Sequence, residues 1–188
     1  MRPAVASFAV FAAFLPAVFA ADPCTSGLTP GQKPGPYSSI VSVGAERGES
    51  HCYICDTAEH PAVIVFARTI TEPLGKLAVG LDKAVADDKA ADLRAWVTFL
   101  SDDQNALDAK LVEWGRKNAL RSVPVGVFEN LDGPPSYRLN RDADVTVLLF
   151  VNRKVTANFA FRSAELTDER IADILKALPS ILAAEGKK

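Results

Sequence analysis

Histidine occurs only twice in this 188-residue chain and cysteine only three times. A metal-rich or disulfide-dense scaffold is thereby excluded, and thiol or imidazole chemistry is confined to one or two places. Charge of one sign is lacking too, with 21 Lys and Arg against 23 Asp and Glu, a net charge of −2, and no basic run. That balance predicts no nucleic-acid partner and no attraction to an anionic membrane. After residue 21 there is no apolar run long enough to span a bilayer. Internal repeats and low-complexity tracts are absent, and neither histidine follows a nucleophile elbow, which removes a Ser-His-Asp hydrolase from consideration.

What is present begins with an export signal. Arg2 supplies a positive start, residues 4–21 are almost wholly apolar, and Val18-Phe19-Ala20 places small residues at the cleavage positions. Pro16 late in the run, and Asp22-Pro23 after it, favour cleavage over an anchoring helix, and Pro23 stands where a lipoprotein anchor on Cys24 wants a small residue. Residues 1–20 are therefore predicted to be a signal peptide, placing the protein in the periplasm or outside the cell with no stable membrane association after cleavage. Removing them takes Arg2 away and leaves a mature chain of net charge about −3. Such a length makes one domain that buries roughly 70% of the surface its unfolded chain exposes, enough for a full core without staples. In that oxidising compartment a disulfide persists.

Residues 21–36 hold four prolines and three glycines and read as an irregular arm. The domain proper is predicted over 37–183, with a short tail at 184–188. Ser39 to Val43 reads as a strand entering a β-hairpin. Ala62 to Ala67, A-V-I-V-F-A, is continuously apolar and β-branched, as in a strand covered on both faces. Leu74, Leu77, Ala78, Leu81 and Val85 predict a helix over about 73–89, and Leu93 to Leu100 a second core strand. Leu107, Leu111, Trp114 and Ala119 mark one face of a second helix. Val123 to Phe128 is a third strand, and Val145 to Val151 with Val155 to Phe161 a hairpin in which Val155, Ala157, Phe159 and Phe161 share a face. Thr167 caps a last helix with Ile171, Ile174, Leu175 and Leu178 inward. Trp96 and Trp114 are expected as packing residues, and Asp82, Lys83, Asp87, Asp88 and Lys89 as a solvated helix face.

This α/β order, with A-V-I-V-F-A-R-T, W-G-R-K-N-A-L-R-S-V-P-V-G-V-F-E and V-T-V-L-L-F-V-N-R-K-V-T-A-N-F-A-F as its carriers, resembles the thioredoxin-like superfamily and its redoxin or peroxiredoxin branch. The resemblance implies a three-layer sandwich: a central mixed sheet of about five strands flanked by helices, here with an N-terminal β-hairpin. It also implies a redox cysteine after the first core strand, where this chain reads A-R-T-I-T-E-P-L-G-K and has none. If Thr69 is the family threonine, the nucleophile becomes Glu72 and the proline Val65. If Thr71 is, they become Leu74 and Ala67. Peroxidase chemistry by the family mechanism is thus unlocated, and Arg68, Thr69, Thr71 and Glu72 fill the family's active-site loop as starters of a helix or as a ligand-binding remnant. The family's cis-proline position falls on Val145, with Pro124 as the other candidate.

The remaining chemistry lies in Ser50-His51-Cys52-Tyr53-Ile54-Cys55, upstream of the core strand. A C-x-x-C in such a chain suggests a redox pair, Cys52 and Cys55, exchanging with protein thiols or disulfides. On an extended strand the two Cα atoms would lie roughly 10 Å apart, beyond the about 7 Å a disulfide spans. The pair can bond only if 52–55 forms a turn or a helical start. Three readings stay open: a redox pair, a structural disulfide within the pair or from Cys24 to one of the two, and a zinc or copper site of His51, Cys52, Cys55 and His60. A thiol–disulfide oxidoreductase or redox sensor and a non-catalytic binding module with structural cysteines are the corresponding functions. Exchange chemistry needs no cofactor.

Overall fold

The computed structural model describes residues 22–183. The predicted signal peptide and tail lie outside these residues. The continuously apolar segment forms β3 (Ala62–Ala67), every residue of it buried, in the interior of a seven-stranded sheet in the order β2-β1-β5-β4-β3-β6-β7. Its neighbours are β4 (Arg94–Leu100), parallel to it, and β6 (Val145–Val151), antiparallel. β5 (Val125–Phe128) continues the sheet parallel to β4, and β7 (Lys154–Phe161) closes the other edge. The sheet exceeds the expected five strands because the N-terminal hairpin, β1 (Ser39–Val43) and β2 (Ser50–His51), is not a separate ornament. β1 pairs antiparallel with β5 and extends the same ladder.

Alternation along the strands sends two sets of side chains to two cores. Val63, Val65, Ala95, Val97, Phe99, Val147 and Leu149 face a layer built by α2 (Glu72–Asp87), α3 (Gln104–Lys117), α4 (Asp168–Ala177) and α5 (Pro179–Leu182), through Leu74, Leu77, Leu81, Leu111, Trp114, Ile171, Ile174 and Ile181. Ile64, Phe66, Trp96, Leu148 and Phe150 face the other layer, made of Leu28 and Tyr37 from the arm, Tyr53 and Ile54 from α1 (Tyr53–Thr57), and Tyr137 from a 3₁₀ turn at Pro135–Tyr137. Helices flank both faces, but on the second most of the cover is irregular chain.

The arm is fastened throughout. Ser26 Oγ and Thr146 Oγ1 are 2.7 Å apart, Asn158 Nδ2 donates to Ser26 O and Leu28 O, and Gly31 and Gln32 exchange backbone hydrogen bonds with Val155. Gly27 makes this approach feasible: its φ is +87°, and a Cβ there would lie 2.8 Å from the Thr146 methyl group.

Several boundaries differ from the sequence expectation for local reasons. α2 ends at Asp87, and Lys89–Ala91 forms a separate 3₁₀ turn. β5 starts at Val125 because Pro124 has no N–H to pair and Val123 N donates instead to Asp82 Oδ1 at 2.9 Å. Asp82 is thus not part of a solvated face: the same oxygen also accepts from Arg121 N and Ser122 N, tying α2 to the loop before β5. Ala119 lies past the end of α3, exposed at φ 51°. Val155 parts company with Ala157, Phe159 and Phe161, because the β6–β7 register shifts between Leu149 and Phe150 and turns Val155 toward the opposite core. No cis peptide bond occurs among the described residues, so Pro124 is trans.

Candidate functional site

The hairpin strand β2 stops at His51, and the chain turns at once into α1. Cys52 stands at its N-cap with φ −112° and ψ 82°, and Cys55 N donates to Cys52 O at 3.0 Å. This turn meets the geometric condition that extended chain would fail. Cys52 and Cys55 form a disulfide with Cα atoms 5.3 Å apart.

The inner side of α1 is held by packing. Tyr53 lies 5.8 Å from the Trp96 ring, its hydroxyl donates to Glu46 Oε2 at 3.0 Å, and buried Thr57 donates through Oγ1 to Tyr53 O. Burial, reinforced by the Glu46 carboxylate, pushes the Tyr53 phenol far above its ordinary range. Ala58, at φ 51°, ends the helix. With Tyr53, Ile54 and Thr57 turned inward, the disulfide is left at the surface: Cys52 is half-buried and Cys55 exposed. Attack on this disulfide by a thiolate is therefore sterically easiest at Cys55 Sγ.

Charges sort to the two sides of the helix. One side opens on a hollow of about 210 Å³ lined by Cys55, Ile54, Ala58, Pro34, Pro36, Lys33 and Arg153, with two cations and no carboxylate. Arg153, in the β6–β7 turn, donates from Nε to Ala58 O at 3.4 Å. The other side opens on a hollow that contains Glu46, His51, Tyr53, Asp56 and Asp92, with one cation, Arg94, paired to Asp92 at 2.7 Å. There His51 Nε2 lies 2.8 Å from Asp56 Oδ2. A protonated His51 would be neutralised by that carboxylate instead of acting on a cysteine sulfur.

The four-residue metal set is not assembled. Its two sulfurs are consumed in the disulfide, His51 faces Asp56, and His60 Nδ1 lies 3.6 Å from Asp92 Oδ2. Among the described residues no group of three or more His, Cys, Asp or Glu converges as a ligand set.

Cys24 is not bonded to either partner and remains a free thiol. The sheet separates them. α1 sits at the Ala62 end of β3, which pairs with Phe150, whereas Cys24 shares a hollow with Phe161 and Glu165, and Phe161 pairs with Val145 at the Ala67 end. Six residues of strand put roughly 16 Å between those ends. Burial raises the Cys24 thiol pKa, with Arg162 opposing.

The loop after β3, residues 68–72, lies at that same Ala67 end, and its residues are engaged in scaffold. Arg68 donates from Nε to Ala143 O at 2.9 Å, from Nη2 to Asn140 O at 3.1 Å and from Nη1 to Leu131 O, holding the 129–144 connection. Thr69 Oγ1 reaches Asp144 Oδ2 at 3.2 Å, Thr71 caps α2 by accepting from Leu74 N, and Glu72 pairs with Lys76 at 3.6 Å. Trp96 and Trp114 are both buried as packing residues, and Trp96 also donates its indole N–H to Tyr37. Lys33 and Arg153 are not legible as site residues in the sequence, because nothing local in K-P-G-P or N-R-K signals that both line the hollow that Cys55 lines.

No protein-family model and no curated protein matches the sequence. Solved structures do match. The thioredoxin domain of a thiol-disulfide oxidoreductase from Bacteroides vulgatus superposes with a TM-score of 0.57 at 15% identity, over 80% of this chain and 99% of that one. A yeast mitochondrial 1-Cys peroxiredoxin gives 0.60 at 10% identity over 85% and 79%. The bacterioferritin comigratory protein of Xanthomonas campestris gives 0.55 at 13% over 78% and 92%. At these identities the likeness establishes the thioredoxin-like fold.

Proposed function

We propose that this chain is an exported redoxin-like thiol–disulfide oxidoreductase whose exchanging pair is Cys52 and Cys55, acting on protein thiols or disulfides. The observation that carries the reading is the exposure of Cys55 within a C-x-x-C disulfide on a helical turn. In the oxidising direction, a substrate thiolate attacks Cys55 Sγ, the intramolecular S–S bond breaks, and its electron pair leaves with Cys52 as a thiolate. A second substrate thiol then attacks the mixed disulfide, releasing substrate disulfide and the reduced pair. The reverse direction starts from the Cys55 thiolate, and Cys52 resolves. Two electrons and two protons move between two dithiol–disulfide couples, and no cofactor is required. The Arg2-led apolar segment supports action in the periplasm or outside the cell, where substrate thiols are oxidised.

The pair's placement at the Ala62 end, away from the family's catalytic end, favours one rival: a thioredoxin-fold binding module in which the disulfide staples α1. Reduction potential separates the two. A value above about −250 mV supports exchange, and one below about −300 mV supports a staple. Trapping separates them residue by residue. Cys52→Ser, which leaves Cys55 without its resolving partner, should accumulate mixed disulfides with a substrate disulfide, and Cys55→Ser should not.

A further inference from the structure

The two sides of α1 differ in charge, and the difference selects what can approach Cys55. Lys33 and Arg153 are both exposed, come from chain segments far apart in sequence, and meet only in the hollow beside the exposed sulfur. The carboxylates Glu46, Asp56 and Asp92 collect in the hollow on the other side, where each already has a partner: His51 for Asp56, Tyr53 for Glu46, and Arg94, the one cation of that hollow, for Asp92 at 2.7 Å. Between the two cations the wall is apolar and stiff, built from Pro34, Pro36 and Ile54. Proline fixes its own backbone, so this segment presents a preformed surface at little entropic cost. The arm that bears Lys33 is anchored by the paired hydrogen bonds of Gly31 and Gln32 with Val155, and the turn that bears Arg153 directly precedes that strand. The backbone bearing each cation is thus held relative to the disulfide, and Arg153 also by its bond to Ala58 O.

We infer that the exchange partner of Cys55 is a peptide cysteine flanked by carboxylates, its acidic groups set against Lys33 and Arg153 while its sulfur meets Cys55 Sγ. This rests on the exchange reading above. The guanidinium can take a carboxylate in two parallel hydrogen bonds, and the lysine acts as a point charge on the other flank. Because both cations are exposed, their effect falls mainly on encounter rate and is sensitive to salt. The incoming thiolate is itself an anion, so the same cations favour its approach and the mixed-disulfide step.

The test uses the oxidised full-fold protein and three cysteine probes: an acidic hexapeptide with Asp or Glu beside cysteine, its basic counterpart with Lys, and glutathione. Dithiothreitol, which carries no carboxylate and no amine, serves as the reference reductant. Loss of the Cys52–Cys55 disulfide is followed by mass at low and high ionic strength. The expected result is reduction by the acidic peptide faster than by the basic one, about tenfold or more at low salt, with the gap closing to about twofold near 1 M salt. Lys33→Glu should invert the preference once each peptide rate is divided by that variant's own dithiothreitol rate, which corrects for the general effect of the charge on an incoming thiolate, and Arg153→Glu should act in the same sense. If glutathione matches the acidic peptide, a free carboxylate-bearing thiol suffices as partner. If only the hexapeptide is fast, the source is an acidic protein segment. Equal rates for acidic and basic peptides at low salt overturn the inference and leave the exchange reading standing. Failure of dithiothreitol and all three probes to reduce the bond overturns the exchange reading, and the inference falls with it. The wild-type salt dependence needs no variant, so a variant that misfolds does not blunt the test.

Discussion

The indole N–H of Trp96 donates to the hydroxyl of Tyr37 at 2.8 Å, with both side chains buried, and that hydroxyl also lies 2.8 Å from Thr98 Oγ1. This chain of three fixes the arm over the sheet just downstream of Lys33, Pro34 and Pro36. Tyr37→Phe keeps the ring but leaves the indole donor and the threonine hydroxyl without their shared partner. We expect a loss of about 1–3 kcal/mol, read as a lower denaturant midpoint at unchanged slope. An unchanged midpoint would mean that water replaces the hydroxyl.

All three tyrosines have phenols displaced upward, each chiefly by burial. In the unfolded chain they ionise near pH 10, so above that pH the unfolded state binds fewer protons than the native one and stability falls as pH rises. Below pH 10 this contribution is fully present. For Tyr37 and Tyr137, which are fully buried, the slope approaches about 1.4 kcal/mol per pH unit each, and half-buried Tyr53 contributes less. In an alkaline titration, phenolate absorbance should appear together with loss of secondary structure, not before it.

Asp82 accepts three backbone N–H groups from Arg121, Ser122 and Val123 through one carboxylate oxygen. Asp82→Ala strands all three donors and should cost about 2–3 kcal/mol, whereas Asp82→Asn retains an acceptor oxygen and should cost less. Equal losses for the two variants would show that the charge, and not the acceptor, holds the loop.

Thiol counting checks the cysteine assignment. Alkylation of the unfolded, unreduced chain should label one thiol, Cys24, and prior reduction should raise this to three. In the native protein near neutral pH, Cys24 should react more slowly than an exposed free cysteine, because its pKa is raised by burial. Labelling of Cys52 or Cys55 before reduction would contradict the pairing.

Arg68→Ala should loosen the 129–144 connection by removing donors to three carbonyls, at a cost of about 1–3 kcal/mol. Arg68→Lys cannot reproduce the fork and should recover only part of it. Dithiothreitol reduction of Cys52–Cys55 should be unaffected in either variant, since Arg68 lies at the opposite end of β3.

Continuous apolarity in A-V-I-V-F-A is enough to place an interior strand, because only a strand covered on both faces tolerates it. V-T-V-L-L-F-V and the Thr167 cap are equally local signals, and both elements lie where those signals put them. Val155 departs from its expected face because a bulge reverses alternation without leaving a mark in composition. Asp82 resembles one more surface carboxylate in the sequence, since the three N–H groups it accepts lie about forty positions further along the chain.

For the site, sequence alone determined the residue types and the condition they had to meet: two cysteines three apart bond only on a turn. It also determined that the loop after the first core strand lacks a thiol. Whether residues 52–55 turn was decided by Tyr53, Ile54 and Thr57 finding a buried surface beneath them, a matter of packing against distant strands. That Cys24 cannot join them, and that Lys33 and Arg153 can, was decided by which end of the sheet each segment reaches. Such proximity arises from strand order and register, and no window of neighbouring residues encodes it.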